Sequence, residues 1–222
     1  ISPYYKQVTI ERTFGAFETN PAREYLTLKV AGNVAALQIT NWRLESAVSG
    51  RGGDIGKGVA IFTPNELGFE GPIVAHSGDE IIVTTGRSPL GTSFRENICM
   101  DYLTQFQEFT PSPASTCPSP QEEADRYYPN YTLDNTCYTY LGTLTQCRIA
   151  LIPPDDISQN CRELIQTRLT YSGCVEAHRS EPSFTSKTWR VYLGHGTELW
   201  KDKREVIKLL DAQGKLVHAI SI

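Results

Sequence analysis

Long apolar runs are missing from these 222 residues. No stretch approaches about 18 consecutive apolar side chains, so nothing reads as a transmembrane segment. A basic excess is missing too. The formal charge is −4 and the isoelectric point about 5.6, which argues against a dedicated binder of nucleic acid or of an anionic membrane. Cys-x-x-Cys pairs are absent, and with them the close ligand pairing of structural zinc sites. There is no Gly-x-Ser-x-Gly elbow, no His-Glu-x-x-His and no dinucleotide-type glycine spacing. The chain opens on Ile1 without a charged-then-apolar leader, which reads as a trimmed product. What remains is ordinary globular composition, 40% apolar and 21% charged, with room for one large domain or one domain carrying an insertion.

Six cysteines are present, and all fall in the middle of the chain: Cys99, Cys117, Cys137, Cys147, Cys161 and Cys174. Their even number fits a disulfide framework formed in an oxidising compartment, which places the protein outside the cytoplasm; reduced buried cysteines are the alternative. The sequon Asn130-Tyr131-Thr132 would permit glycosylation in a eukaryotic secreted protein.

Charge changes in the same region as cysteine content. From Ser88 to Thr185 there are six arginines, twelve acidic residues and no lysine, a charge of −6; the remainder carries +2. The two changes coincide, so 88–185 reads as an inserted acidic subdomain and 1–87 with 186–222 as the two parts of one host module.

The host reads as β. Val8, Ile10 and Phe14 share a parity interrupted at Arg12, and Tyr25-Leu26-Thr27-Leu28-Lys29-Val30 alternates with period two. Leu37, Ile39, Trp42 and Leu44 alternate with one slip, which predicts a bulge at Thr40-Asn41. Val59–Phe62 and Glu80–Thr84 add short runs, and Ser49–Gly53 is a glycine-rich turn. Trp189–Leu193, Glu205–Leu210 and Lys215–Ile222 return to β, the last two around the turn Asp211-Ala212-Gln213-Gly214. Short strands at this spacing predict a sandwich or barrel, with Trp42 and Trp189 in its core.

The insert reads as helical. Ser93-Phe94-Arg95-Glu96 has the form of a capping box, followed by Phe94, Ile98, Tyr102 and Phe106 at helical spacing. Ser119-Pro120 with Glu122 and Glu123 predicts a second helix start, and Ser158 a third, carrying Cys161, Leu164, Ile165 and Leu169 and ending near Gly173. A Cys-x-x-bulky-aliphatic pattern begins at Cys99, Cys137 and Cys161; a degenerate repeat or a recurring amphipathic spacing would each produce it. Were Cys161 to Tyr171 one helix, its ends would lie roughly 15 Å apart, against about 7 Å between the Cα atoms of a disulfide. That disfavours Cys161 with Cys174 and favours Cys117–Cys137, Cys147–Cys161 and Cys99–Cys174. A shorter helix would restore sequential pairing.

Candidate chemistry is sparse. His76 and His218 lie in predicted strands, His178 after the third helix, and His195 in the Gly194-His195-Gly196 turn, where backbone can approach a ligand. Gly50 to Gly58 lacks the spacing of a phosphate loop, and Arg51-Gly52-Gly53-Asp54 is not an Arg-Gly-Asp motif. The adjacent carboxylates Glu122-Glu123, Asp155-Asp156 and Asp79-Glu80 point apart, unlike a general acid–base pair. Pro153-Pro154-Asp155-Asp156 could offer oxygens to calcium but lacks alternate acidic spacing. Lys201, Lys203, Arg204 and Lys208 are offset by Glu198, Asp202 and Glu205 and read as a solvated face. No residue is assigned a catalytic, cofactor-binding or metal-ligating role, and no cofactor is expected; the six cysteines are the site residues, as disulfides.

Glu24-Tyr25-Leu26-Thr27-Leu28-Lys29, Ile39 to Ser46 around Trp42, Lys57-Gly58-Val59 and the hairpin from Ile207 to Val217 resemble the lamin tail domain, an immunoglobulin-like β-sandwich. The likeness covers about 120 residues in two blocks. Asn41 stands where that family commonly has glycine, and the insert is foreign to nuclear lamins. Phe94-Arg95-Glu96-Asn97-Ile98-Cys99, with Ser2-Pro3-Tyr4-Tyr5 before Val8-Thr9-Ile10, is similar instead to exported proteins of small-genome candidate-phylum bacteria that join such a module to a Phe-Arg-x-Asn-x-Cys segment. The resemblance implies a mainly β chain: an immunoglobulin-like sandwich interrupted by a helical, disulfide-bonded insert. It implies an extracytoplasmic protein, at the cell surface or outside the cell. The first reading is a non-catalytic structural or binding module that self-assembles as a homo-oligomer or binds a protein partner, and the acidic charge argues against nucleic acid. The alternative is a secreted hydrolase, since such modules accompany bacterial nucleases. No catalytic residue is carried over.

Overall fold

A computed structural model describes residues 1–11, 18–64, 69–129, 133–200 and 204–222. Arg12 and Phe14, the sequon at Asn130-Tyr131-Thr132, and Lys201, Asp202 and Lys203 lie outside the described residues. Strand exceeds helix, 26% to 18%, and the chain is mainly β. It divides into two compact units: Ile1–Phe62 with Leu67–Glu96 and Lys187–Ile222, and Thr63–Glu66 with Asn97–Ser186.

The first unit holds the sheets. Its strands are β1 (Val8–Glu11), β2 (Tyr25–Val30), β3 (Leu37–Gln38), β4 (Arg43–Ser46), β5 (Gly52–Asp54), β6 (Gly58–Val59), β7 (Val74–Ala75), β8 (Glu80–Thr84), β9 (Ser93–Asn97), β10 (Thr185–Tyr192), β11 (Val206–Leu210) and β12 (Leu216–Ser221). A six-stranded sheet runs β1-β2-β8-β10-β9-β6, a four-stranded sheet β12-β11-β4-β5, and β3 pairs with β7. The large sheet is mixed: β2 lies antiparallel to β1 and β8, whereas β10 runs parallel to β8 and β9 parallel to β6. Period-two alternation sends Leu26, Leu28, Ile81, Val83 and Val191 of this sheet into the same core as Leu44, Ile207, Leu209 and Val217 of the other. Trp42 (2% exposed) and Trp189 (4%) belong to that core.

Turn chemistry follows the sequence. Ser49–Gly53 connects the antiparallel β4 and β5, with Gly50 at φ +70°. Asn41, at the predicted slip, takes φ +68°, a left-handed conformation that asparagine tolerates better than most residues. At the β11–β12 turn, buried Asp211 accepts the backbone N–H groups of Gln213 and Lys215, each at 2.9 Å.

Two buried carboxylates tie loops to the sheets. Glu24, wholly buried, accepts N–H from Leu199 at 2.8 Å and Trp200 at 3.0 Å; burial raises its pKa despite these bonds. Glu205 accepts the Ser46 hydroxyl at 2.9 Å, and the Ser46 oxygen in turn accepts N–H from Val48 and Ser49.

The segment predicted to start a helix at Ser93 is instead β9, so the sheet extends beyond the expected boundary at 87/88. Phe94 and Glu96 are buried on that strand, and Glu96 pairs with Arg190 of β10. Burial of four of its five residues in the sheet overrides a four-residue capping pattern. Helical geometry begins only as a 3₁₀ helix at Met100–Gln105. His76 falls just after β7, in a turn, not within a strand.

The second unit holds α1 (Pro120–Tyr127), α2 (Asn135–Leu141), α3 (Gln159–Thr167) and α4 (Tyr171–His178). Ser119 and Glu122 form the full capping box of α1, with Pro120 in its first turn; Asp134, Ser158 and Thr170 cap the other three. The third helix is shorter than predicted: Thr170 starts α4, and Gly173 lies inside α4 and does not close α3. A Cβ on Gly173 would stand 2.2 Å from the Thr167 carbonyl oxygen, so the glycine lets the start of α4 meet the end of α3. Gly173→Ala is expected to destabilise this unit by about 1–3 kcal/mol through overpacking; urea unfolding checks this, and an unchanged midpoint would contradict it.

Candidate functional site

All six cysteines are bonded, and none is free. The pairs are Cys99–Cys174, Cys117–Cys147 and Cys137–Cys161, with Cα separations of 5.9, 5.6 and 5.7 Å. Cys99–Cys174 is the expected pair; Cys117–Cys137 and Cys147–Cys161 are corrected. The cause is helix geometry. Cys137 sits at the third position of α2, its N–H on the Asp134 cap at 2.8 Å, and Cys161 holds the same place in α3 on Ser158 at 3.4 Å. Both face the core of the helical unit with Leu141, Leu164 and Ile165, so the two helix starts are joined to each other. The recurring Cys-x-x-aliphatic pattern thus marks two equivalent sites, whereas Cys99 is the N-cap of the 3₁₀ helix. A capping residue three positions before each cysteine, Asp134 and Ser158, marks the two as equivalent helix positions in the sequence; which helices meet is set by packing. Closing loops of 75, 30 and 24 residues restricts the unfolded chain by roughly 3.5–4.5 kcal/mol each in the chain-entropy account.

A cleft of about 450 Å³ opens in the same unit, lined by Thr116, Cys117, Glu122, Glu123, Arg126, His178 and Glu181 among others. Helix α1 supplies Glu122, Glu123 and Arg126; α4 ends on His178. Glu123 and His178 are each only 2% exposed, and His178 Nε2 lies 2.6 Å from Glu123 Oε1. On the other side of the ring, Nδ1 lies 2.9 Å from Glu181 Oε1, which also accepts from Arg126 Nη2 at 2.8 Å. Both ring nitrogens of His178 thus lie within hydrogen-bond reach of a carboxylate oxygen, and Arg126 Nη2 lies 3.4 Å from Nδ1. Burial raises the Glu181 pKa, but hydrogen bonds from His178 and Arg126 outweigh it and leave the carboxyl below its ordinary 4.5. Burial, with the charge of Glu123 adding to it, pushes the Tyr102 phenol well up, so that group stays protonated.

The adjacency of Glu122 and Glu123 hid this division of labour. One carboxylate caps a helix and the other, 100° around it, is buried against a histidine 55 residues away. The remaining predicted positions do not converge on it. His218 Nδ1 accepts the Ile10 N–H at 3.1 Å, and burial lowers its pKa, with Lys6 adding to the effect. His195 donates its backbone N–H to Thr85 and His76 to Asp79. The Pro154 and Asp155 carbonyls, considered for calcium, face the Arg162 guanidinium at 3.0 and 3.4 Å. Among the described residues no three His, Cys, Asp or Glu side chains are arranged to hold a metal ion, and no helix is long and apolar enough to cross a membrane. Comparisons with protein-family models, with curated proteins and with solved structures return no match.

Removing His178 leaves the buried Glu123 carboxyl without its hydrogen-bond partner. His178→Ala is therefore expected to cost about 1–3 kcal/mol, and Glu181→Ala at the rim less than about 1 kcal/mol. Hydrogen exchange in peptides 117–127 and 171–181 reads the difference, and equal effects would refute the assignment. A second outcome concerns acid. The carboxyls of Glu122, held down by the Ser119 N–H and hydroxyl, and Asp134, held down by Ser158 and the Cys137 N–H, join Glu181 below their ordinary values of 4.5 and 3.8. Folded values below unfolded ones give stability that is full above the unfolded pKa and lost as pH falls. The helical circular dichroism should lose thermal stability as pH drops below about 4.5, and Asp134→Asn should flatten that slope; a pH-independent midpoint between about pH 5 and pH 3 would contradict it.

Proposed function

We propose that this chain is a non-catalytic module of an exported, surface-attached protein. In this reading a lamin-tail-like, immunoglobulin-like β-sandwich carries a disulfide-bonded helical insert, and the module self-assembles or binds an extracellular partner. The observation that carries the reading is the complete pairing of six cysteines inside one small helical unit, a framework that persists in an oxidising compartment. Two sheets around a single core with Trp42, closed by the β11–β12 hairpin, support the sandwich; the parallel pairs β8–β10 and β6–β9 set it apart from all-antiparallel relatives.

The non-catalytic assignment rests on His178. Both of its ring nitrogens are spent on carboxylates, so neither is available to a substrate. The secreted hydrolase is the second reading, favoured by the same pair: Glu123 would orient His178, and Glu181 would have to swing away to free Nδ1. Non-reducing peptide mapping of the protein taken from its own cells should recover the three observed cystine peptides, and native mass spectrometry should show an oligomer or a co-purified partner. Six free thiols there would overturn export. Hydrolysis of esters, peptides or nucleic acid that disappears in a folded His178→Gln variant would overturn the non-catalytic assignment.

A further inference from the structure

The β unit carries a second cleft, of about 360 Å³, that nothing above uses. It lies where loops leave the C-terminal ends of the parallel β8 and β10 and enter the N-terminal ends of the parallel β6 and β9. Such loop clusters at strand ends are where sheets collect binding groups. Lys57 and Arg87 line it, both exposed, and neither has an ion pair among the described residues. Glu70 lines it as well and is likewise unpaired there. Ser88 spends an acceptor on the Leu90 N–H at 3.1 Å and keeps its hydroxyl hydrogen to donate. Thr92 donates its own to the Ser93 carbonyl at 3.0 Å and keeps acceptor capacity. Tyr192 also borders the cleft. Burial pushes its phenol up to about 12 although Arg190 draws it down, so its proton stays on at neutral pH.

Gly56 supplies an independent observation. Its φ is not in the left-handed region, and a Cβ built on it would meet nothing within 4 Å. Neither backbone conformation nor packing inside the chain calls for glycine here. Its bare backbone lines the cleft, so a ligand there would meet no side chain at this position.

We infer that this cleft binds an acidic saccharide, a sugar bearing a carboxylate. Lys57 and Arg87 take the carboxylate, the guanidinium in bidentate fashion. Glu70 accepts from ring hydroxyls, while the Ser88 and Tyr192 hydroxyls donate to ring oxygens and Thr92 accepts. Glu70 is the discriminating residue: a chain with a negative charge on every unit, such as a phosphodiester, would bring like charge against it, whereas a saccharide with a single carboxylate gives it hydroxyl donors. The chain's net charge of −4 likewise disfavours a long polyanion. The inference deepens the proposed binding role and rests on it.

The test uses the whole chain and four probes: a trisaccharide of two galactoses and one galacturonic acid, its all-galactose neutral counterpart, inorganic sulfate and a thymidine decamer. Calorimetry should show the acidic trisaccharide binding about tenfold or more tighter than the neutral one. Lys57→Ser/Arg87→Ser and, separately, Gly56→Gln should each weaken it about tenfold or more at an unchanged melting temperature. Glu70→Gln should narrow the preference over the decamer. No binding, binding untouched by both variants, or tighter binding of sulfate or of the decamer would overturn the site. Chromatography of the recovered trisaccharide separates the two propositions: cleaved sugar refutes the non-catalytic reading while leaving the site in place, and intact, unbound sugar refutes only the site.

Discussion

The pairing of β9 with β10 is the constraint on which the other features hang. The chain leaves the six-stranded sheet at Asn97 and rejoins it at Thr185, and those two strands are hydrogen-bonded neighbours. Residues between them must therefore start and finish side by side, whatever they do in between. Glu96 and Arg190 mark the seam, both buried and paired with each other. Removing one charge from such a pair is far more costly than never having had either. With Ser93, Phe94, Glu96 and Asn97 buried on a strand between β10 and β6, the local capping pattern at Ser93 is overridden.

Inside the helical unit the limiting quantity is core size. Four short helices of seven to nine residues bury little apolar surface and would be marginal on propensity alone. Three cross-links reduce the entropy of the unfolded chain by an amount comparable with the whole stability of a small domain. Two of the bonded cysteines are also core residues beside Leu141 and Ile165. The Glu123–His178–Glu181–Arg126 network adds charge-assisted hydrogen bonds at the edge of that core.

The two clefts contrast in how their ionisable groups are used. In the helical unit Glu123, Glu181 and Arg126 are engaged with His178 or with one another, which leaves the histidine no free nitrogen. In the β unit Lys57, Arg87 and Glu70 face a cleft with no ion pair among the described residues. Charges that a protein satisfies internally hold structure together; charges held apart around an open cleft remain available to something else.

Local chemistry was readable from the residues alone. Period-two alternation located β2, a short apolar run located β8, Ser119-Pro120-x-Glu122 located the start of α1, and Asp211 with Gly214 located the closing turn, because each depends on neighbours within four positions. Six cysteines gathered in an acidic, lysine-free segment marked the helical unit by composition. Tertiary structure decided the rest. Ser93–Glu96 is a strand because its partners are β6 and β10, 34 or more residues away in sequence. The cystine pairing depends on which faces of α2 and α3 meet, and no linear spacing encodes that. Glu123 and His178, 55 residues apart, form a pair only once α1 and α4 are in place. The cleft of Lys57, Arg87 and Glu70 likewise exists only where loops from separate strands converge. Sequence patterns report interactions of short range along the chain; burial and pairing across it are settled by packing.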